Sequence, residues 1–251
     1  MRIILPKFEY VTPISDGGIL ELQRIERMAR ICYKSEDRIT EDGESAKKMV
    51  EMLMKKEHEA MIEHSSISII FTTDRGVSHE LVRHRLCSYA QESTRWCDYS
   101  NDTKFEGGLT FMLPYEFNKW FMEHDEVRDQ FSAFMQEAEV NADTAMWRHF
   151  NSYGIPDGFA DWFMNMRFCE IDYLKMRENG CTPQLARSVL PNSLKTEVGL
   201  TTNYRELRNI LKLRTAPDAH PDIRSLFNEL LKDLKSRIPL IFDDIPIAGD
   251  I

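Results

Sequence analysis

The stretch LVRHRLCSYAQESTRW, residues 81–96, sets Arg83, His84, Arg85 and Arg95 beside Ser88, Gln91, Ser93 and Thr94. The chain around it is acidic: 32 lysines and arginines stand against 41 aspartates and glutamates, a formal net charge of -9 over 251 residues. Any positive patch is therefore local. Broad nucleic-acid or membrane-surface binding rests on extended positive potential, so this balance argues against both. If residues 83–85 continue a helix, steps of roughly 100° fan them through roughly 200°. They then address different ligands, different chains or solvent, and a solvated basic turn accounts for them equally.

A second cationic segment strengthens the functional reading. Arg187, Lys195, Arg205, Arg208, Lys212 and Arg214 face only Glu197 and Glu206 in the same window, with Asn192, Thr201, Thr202, Asn203 and Asn209 interleaved. The chain has no glycine-rich phosphate loop and no G-x-S-x-G elbow, so side chains must do most of any phosphate binding. Arginine suits that task, because its planar fork gives two parallel charge-assisted hydrogen bonds. Converging segments of this composition would make a pocket for a nucleotide-like anion. With 41 acidic residues available, structural salt bridges remain an alternative.

Other site chemistries are weaker. His58 and His64 are six apart and His79 and His84 five apart, off the i, i+4 face of an H-E-x-x-H zinc helix, so no metal is expected. Five cysteines at irregular spacing, with no C-x-x-C pair, fit reduced thiols that pack mostly as small buried hydrophobes. Cys87 can be read as a nucleophile activated by nearby arginines, or as a buried neighbour of Leu86. No window of roughly 18 apolar residues and no leader pattern is visible, which fits a cytoplasmic protein.

Periodicity supplies the scaffold. Leu22, Ile25, Met28, Ala29 and Cys32 predict a helix over 19–32, and Met49, Val50, Leu53 and Met54 another over 45–56. β-branched residues predict a strand over 66–73, and 107–114 reads as a short strand stopped by proline. Residues 116–149 read as a long acidic helical region. An aromatic and methionine stripe predicts a helix over 159–179 that packs as plain core, stopped at Gly180 and restarted at Thr182 before Pro183. A strand over 195–203 leads into a helix over 204–213, and Ile223, Leu226, Phe227, Leu230, Leu231 and Leu234 mark a last long helix. Helices outweigh strands without regular alternation and no linker is evident, so the reading is one α+β domain over 1–251.

RHRLCSYAQES (residues 83–93) resembles the R-H-R-x7-S signature of the flavin-dependent thymidylate synthases. The likeness extends through ARICYKS, LMKKEHEAMIEH, ARSVLPNSLKTEV, TNYRELRNILKLRT, AHPDIR and the tail RIPLIFDDI, in the family's order. The resemblance implies a central, mostly antiparallel sheet flanked by long helices, and a homotetramer with active sites between subunits. It implies conversion of dUMP to dTMP with 5,10-methylenetetrahydrofolate as carbon donor, NADPH as reductant and FAD as hydride carrier. FAD is expected at Arg83, His84, Arg85, Leu86, Gln91, Asn203, Tyr204, Arg205 and Asn209, with His58 near the flavin ring. The nucleotide is expected at Glu80, Leu81, Val82, Arg83, Gln91, Glu92, Ser93, Thr94, Arg95, Arg187 and Arg214, with Arg214 polarising the uracil and no cysteine nucleophile.

Ala60 stands where the family often has a hydroxyl residue, Gln91 replaces a frequent glutamate and Trp96 the usual tyrosine. Residues 116–158 have no counterpart in compact members and read as a helical insertion. Two other readings use the same arginines: a non-catalytic nucleotide- or RNA-binding protein, and a flavoenzyme acting on another pyrimidine nucleotide.

Overall fold

The computed structural model describes residues 1–101, 108–124, 154–156 and 158–247. They form two compact units, each assembled from separated stretches of chain. The first comprises Met1–Pro6, Thr73–Gly76 and Glu92–Thr196; the second comprises Lys7–Thr72, Val77–Gln91 and Glu197–Ile251.

The second unit is built on a four-stranded sheet in the order β2 (Lys7–Tyr10), β3 (Ser66–Asp74), β6 (Lys195–Asn203), β4 (Cys87–Gln91). β2 pairs antiparallel with β3, and β4 antiparallel with β6 in the register Cys87↔Thr202 to Gln91↔Val198. Along β3, Ile67, Ile69 and Phe71 alternate into the core, and along β6 Thr196, Val198, Leu200 and Thr202 do the same. That period-two burial fixes the register, because a slip of one residue would turn each apolar set to the wrong face.

Helices α1 (Ile19–Tyr33), α2 (Glu44–Lys55), α7 (Tyr204–Arg214) and α8 (Pro221–Arg237) supply the rest of this core. All six expected α8 positions are buried, and Phe227 stacks on Phe71 of β3 with ring centroids 5.2 Å apart. Each such side chain contributes roughly 1.5–3 kcal/mol over its exposed state. The α1 stripe is correct at Leu22, Ile25 and Ala29, but Cys32 is exposed. The remaining cysteines are half-buried, so the expectation of mostly buried thiols does not hold. Behind the stripe, buried Glu26 receives Arg30 Nη2 at 2.8 Å and Ser45 Oγ at 2.9 Å, tying α1 to α2 through one satisfied carboxylate.

In the first unit, β1 (Arg2–Ile4) pairs parallel with β5 (Thr110–Met112), and Phe111 bridges to Leu194. Helix α4 (Tyr115–Glu123) follows β5; the rest of the expected acidic helix, from 125 to 153, lies outside the described residues. Helix α5 (Phe159–Glu178) buries Phe159, Phe163, Met166 and Tyr173, as its stripe predicts. It ends as expected: Gly180 takes φ +83°, its N–H bonds the Arg177 carbonyl, and Cys181 N–H bonds that of Met176. This paired capping uses a glycine in the left-handed region. The short helix α6 (Pro183–Ala186) starts where Thr182 Oγ1 accepts the Leu185 N–H.

Strands β1, β2 and β4, and the short helix α9 (Pro239–Phe242), are absent from the sequence reading. β4 is a five-residue edge strand whose inward side carries only Cys87, Tyr89 and Gln91, each half-buried, so its alternation is too short and weak to stand out in the sequence. Helix α3 (Arg75–Leu81) stops before the arginine motif, which makes residues 82–86 a turn rather than the helix considered above.

Gly43 precedes α2 at φ +78°, and a Cβ there would lie 2.5 Å from Ile19 Cγ1. Both the left-handed backbone and the contact exclude a larger residue. Gly43→Ala is expected to lose about 1–2 kcal/mol from the backbone alone, read as a lower urea midpoint. An unchanged midpoint would refute this account of the α1–α2 junction.

Candidate active site

In the second unit, the turn between α3 and β4 is pinned by Tyr89. Its hydroxyl lies 2.6 Å from the Leu81 carbonyl and 2.9 Å from that of His84, and Thr202 Oγ1 reaches the Leu86 carbonyl at 3.4 Å. The three basic residues therefore part company. His84 is buried, whereas Arg83 and Arg85 are exposed and form no ion pair among the described residues. Leu86, 73% exposed, stands beside them as an apolar surface.

Arg214, at the end of α7, closes on this turn. Its Nη1 donates to Glu80 Oε2 at 2.6 Å, its Nη2 to the Glu80 carbonyl at 3.0 Å, and its Nε to His84 Nε2 at 3.0 Å. These contacts engage three of the five guanidinium N–H groups and leave two for a ligand. Because His84 Nε2 accepts, the neutral imidazole carries its proton on Nδ1, which faces Glu206 Oε1 at 3.7 Å. Burial first, and the Arg214 charge second, lower the His84 pKa to about 4.

Helix α7 begins with a cap that holds Glu206 in place: Asn203 Oδ1 accepts the Glu206 N–H at 2.9 Å, and Asn209 Nδ2 lies 3.3 Å from Glu206 Oε2. In sequence Glu206 stands out only as a countercharge. Its signal was the N-cap spacing Asn203-x-x-Glu206, an asparagine variant of the capping box. Tyr204 corrects the reading in the opposite sense: it is buried and edge-on to Phe242, so its side chain is core and not free for a flavin. Leu81 is likewise core.

His58 is exposed, with Nδ1 3.4 Å from Tyr33 Oη. Arg205 bonds Glu63 at 2.5 Å, and Gln91 Nε2 donates to Ser78 Oγ at 2.9 Å. Val82 and Asn209 are exposed, and Glu80 is half-buried on Arg214. The Cys87 thiol pKa is raised, chiefly by burial, which opposes the activated-thiolate reading.

The first unit holds the other expected residues. Ser93, Thr94 and Arg95 form a tight turn in which the Ser93 carbonyl accepts the Trp96 and Cys97 N–H groups. Arg187 Nη1 donates to Thr94 Oγ1 at 3.2 Å, while Arg95 is exposed and unpaired among the described residues. Two guanidinium groups thus accompany two hydroxyls, a donor set suited to a phosphate. Glu92 is already occupied by Lys195 Nζ at 2.9 Å and Tyr99 Oη at 2.7 Å, which makes it a support of this turn. Trp96 is 83% exposed.

The open salt-bridge alternative holds for part of the second cationic segment. Arg208 is 2% exposed and forks onto Asp244 at 2.6 and 2.7 Å, with Glu59 at 3.3 Å. Lys195 and Arg205 are paired as above. Among the described residues no cluster of three metal-ligating side chains occurs, and no helix is long and apolar enough to cross a membrane.

Helices together with a small, largely antiparallel sheet define a protein of the mixed α/β class. Its fold is shared by a UMP/dUMP methylase, PolB from Streptomyces cacaoi, solved with 5-Br dUMP: TM-score 0.66, 18% identity, 97% of this chain and 96% of that one. The chain belongs to the thymidylate synthase complementing protein family, whose model matches residues 21–240 and so runs through both units. Among curated relatives, the flavin-dependent thymidylate synthase of Geobacter sulfurreducens is 28% identical, covering 86% of this chain and 78% of its own. That of Clostridium tetani is 29% identical over 85% and 78%, and that of Mycolicibacterium gilvum 27% identical over 97% and 86%.

The His84 geometry gives a pH dependence. Its folded pKa lies below the ordinary 6.5, so the unfolded chain takes up the proton first. The stability is whole above pH 6.5 and is lost as pH falls toward 4. His84→Gln, which stays neutral and can still accept from Arg214, is expected to flatten that part of a plot of urea midpoint against pH. Parallel curves for the two proteins would remove His84 as the source.

Proposed function

We propose that this chain methylates dUMP to dTMP as a flavin-dependent thymidylate synthase, with 5,10-methylenetetrahydrofolate as carbon donor and NADPH as reductant. The observation that carries the reading is the Arg214 clamp beside the family's arginine turn. The second unit's sheet and long helices support assignment of the family's flavin-binding fold, and we assign residues 1–251 to one catalytic domain with 116–158 as an insertion. The working form is a homotetramer in the cytoplasm with active sites between subunits.

The residues present suit FAD. Arg83 and Arg85 are exposed and form no ion pair among the described residues, which fits a ligand bringing two negative charges; Leu86, next in sequence, offers an apolar contact and Asn209, on α7, a polar one. These residues, with Asn203, Arg205 and Gln91, would hold it, and His58 would line the ring; the flavin supplies hydride carried from NADPH. Ser93, Thr94, Arg95 and Arg187 would bind the dUMP phosphate.

The two free N–H directions of Arg214 would face the uracil imide. A fixed cation there favours loss of the N3 proton and stabilises charge that builds as C5 attacks the transferred carbon. The neutral His84 orients the guanidinium without adding a competing charge. No thiolate is needed, in keeping with the burial-raised Cys87.

The deciding assay is tritium release from dUMP labelled at C5, with FAD, NADPH and methylenetetrahydrofolate each omitted in turn, and with labelled UMP in parallel. Release that requires every component is expected. Arg214→Ala should keep the yellow flavin spectrum and lose about 100-fold or more of the release, whereas Cys87→Ala should turn over. A colourless protein that binds RNA with steep salt dependence would support the non-catalytic reading, and release from UMP alone the other-nucleotide reading.

A further inference from the structure

In the second unit, a cavity of about 590 Å³ opens between the end of α1 and the face of α2, within the roughly 300–1,000 Å³ of small-ligand sites. Four cations line it, Arg30, Lys34, Arg38 and Lys48, against a single acid, Asp37. The Arg30 charge is answered from behind by Glu26 at 2.8 Å. Lys34, Arg38 and Lys48 are exposed and form no ion pair among the described residues. A second cavity, of about 720 Å³ beside α7, makes the contrast: Lys55, Arg205, Arg208 and Lys212 meet Glu57, Glu59, Asp243 and Asp244, so its charges cancel.

Two further observations bear on the first cavity. Lys34 sits in the left-handed region at φ 47°, ψ 50°, capping α1. Glycine occupies that conformation without steric cost, whereas here a long cationic side chain is held in it, the kind of backbone outlier that marks functional positions. Tyr33, also in the lining, reaches His58 Nδ1 at 3.4 Å. The cavity is therefore joined to the residue assigned above to the flavin ring.

We propose that this cavity is an oligocarboxylate subsite that takes the glutamyl tail of the folate cosubstrate; the assignment rests on the folate-dependent reaction proposed above. Each added glutamate brings one carboxylate. Lys34 at the end of α1, Arg38 in the following turn and Lys48 on α2 offer separated cations for successive carboxylates. Flexible, solvated cations bind each carboxylate weakly, so the site should count glutamates rather than grip one.

The test uses the flavin-loaded full chain. kcat/KM is measured with mono- and pentaglutamylated methylenetetrahydrofolate, and a γ-linked pentaglutamate peptide is titrated directly at low and high salt and against inorganic phosphate. Wild type should prefer the pentaglutamate by about tenfold, through KM, and the peptide should bind and weaken with salt. Lys34→Ala/Arg38→Ala/Lys48→Ala should reduce the preference to about twofold or less and lose peptide binding, while Lys48→Arg retains both. Equal kcat/KM for the two folates, or no peptide binding by wild type, overturns the proposal. So does peptide displacement by phosphate at equal concentration, since the site then takes any small anion. Peptide binding without turnover on either folate would sink the thymidylate reading and leave the oligocarboxylate site standing.

Discussion

The antiparallel register of β4 with β6 is the constraint on which the second unit's chemistry depends. Cys87 opposite Thr202 and Gln91 opposite Val198 bring together two segments more than a hundred residues apart in sequence. One end of that ladder carries the arginine turn, and at the same end β6 passes through the Asn203 cap into α7. Arg214 lies at the far end of α7, where it can reach back to Glu80 and His84 only if strand pairing and helix start are both in register. Tyr89, on β4 itself, ties the turn to the strand with two carbonyl contacts. A short polar edge strand is thereby fixed by a side chain and by its partner's alternation rather than by its own apolar pattern.

The clamp also shows how a cation can be kept usable when partly buried. A guanidinium facing a carboxylate alone would be neutralised and directed away from ligand. Here one carboxylate oxygen, one carbonyl and one neutral imidazole share the task, so Glu80 pairs with the charge while orientation comes from three acceptors and two N–H groups stay available. His84 has to be neutral for this to work, since an imidazolium would have no lone pair at Nε2 and would repel Arg214. Burial and the arginine itself enforce that state. The low pKa and the bond geometry are two expressions of one arrangement.

Much of the scaffold was legible because burial follows periodicity. α1, α2, α5 and α8 declare themselves by apolar residues three and four apart, and β3 by β-branched residues bounded by turn chemistry. The stop at Gly180 and restart at Thr182 were legible because left-handed backbone and capping each demand particular residues. β4 was not, because its alternation covers five residues and only half-buries Cys87, Tyr89 and Gln91. Helical spacing across the arginine motif does not reveal its turn, since helix end and turn differ by contacts to Tyr89 that lie five and eight residues away. The unit boundaries left no linker to find: they fall at Thr72, Gly76, Gln91 and Thr196, within or beside regular elements.

Candidate cations were legible by type and position, but their partners were not. Lys195, Arg205, Arg208 and Arg177 look as available in sequence as Arg83, Arg85 and Arg95, yet the first four are held by Glu92, Glu63, Asp244 and Asp98. A cation paired within the fold gives a ligand little more than a neutral donor would, because its charge is already offset. A cation without a carboxylate partner offers an anion more, whereas a paired one such as Arg214 serves through its fixed orientation and free N–H groups. A formal charge of -9 says nothing about that difference, since it sums over paired and unpaired groups alike. Those on the arginine turn, Arg95 and the three exposed cations of the Lys34 cavity are among the described cations that form no ion pair. A net negative charge works against general polyanion binding, so any attraction for an anion has to come from local groups of cations such as these.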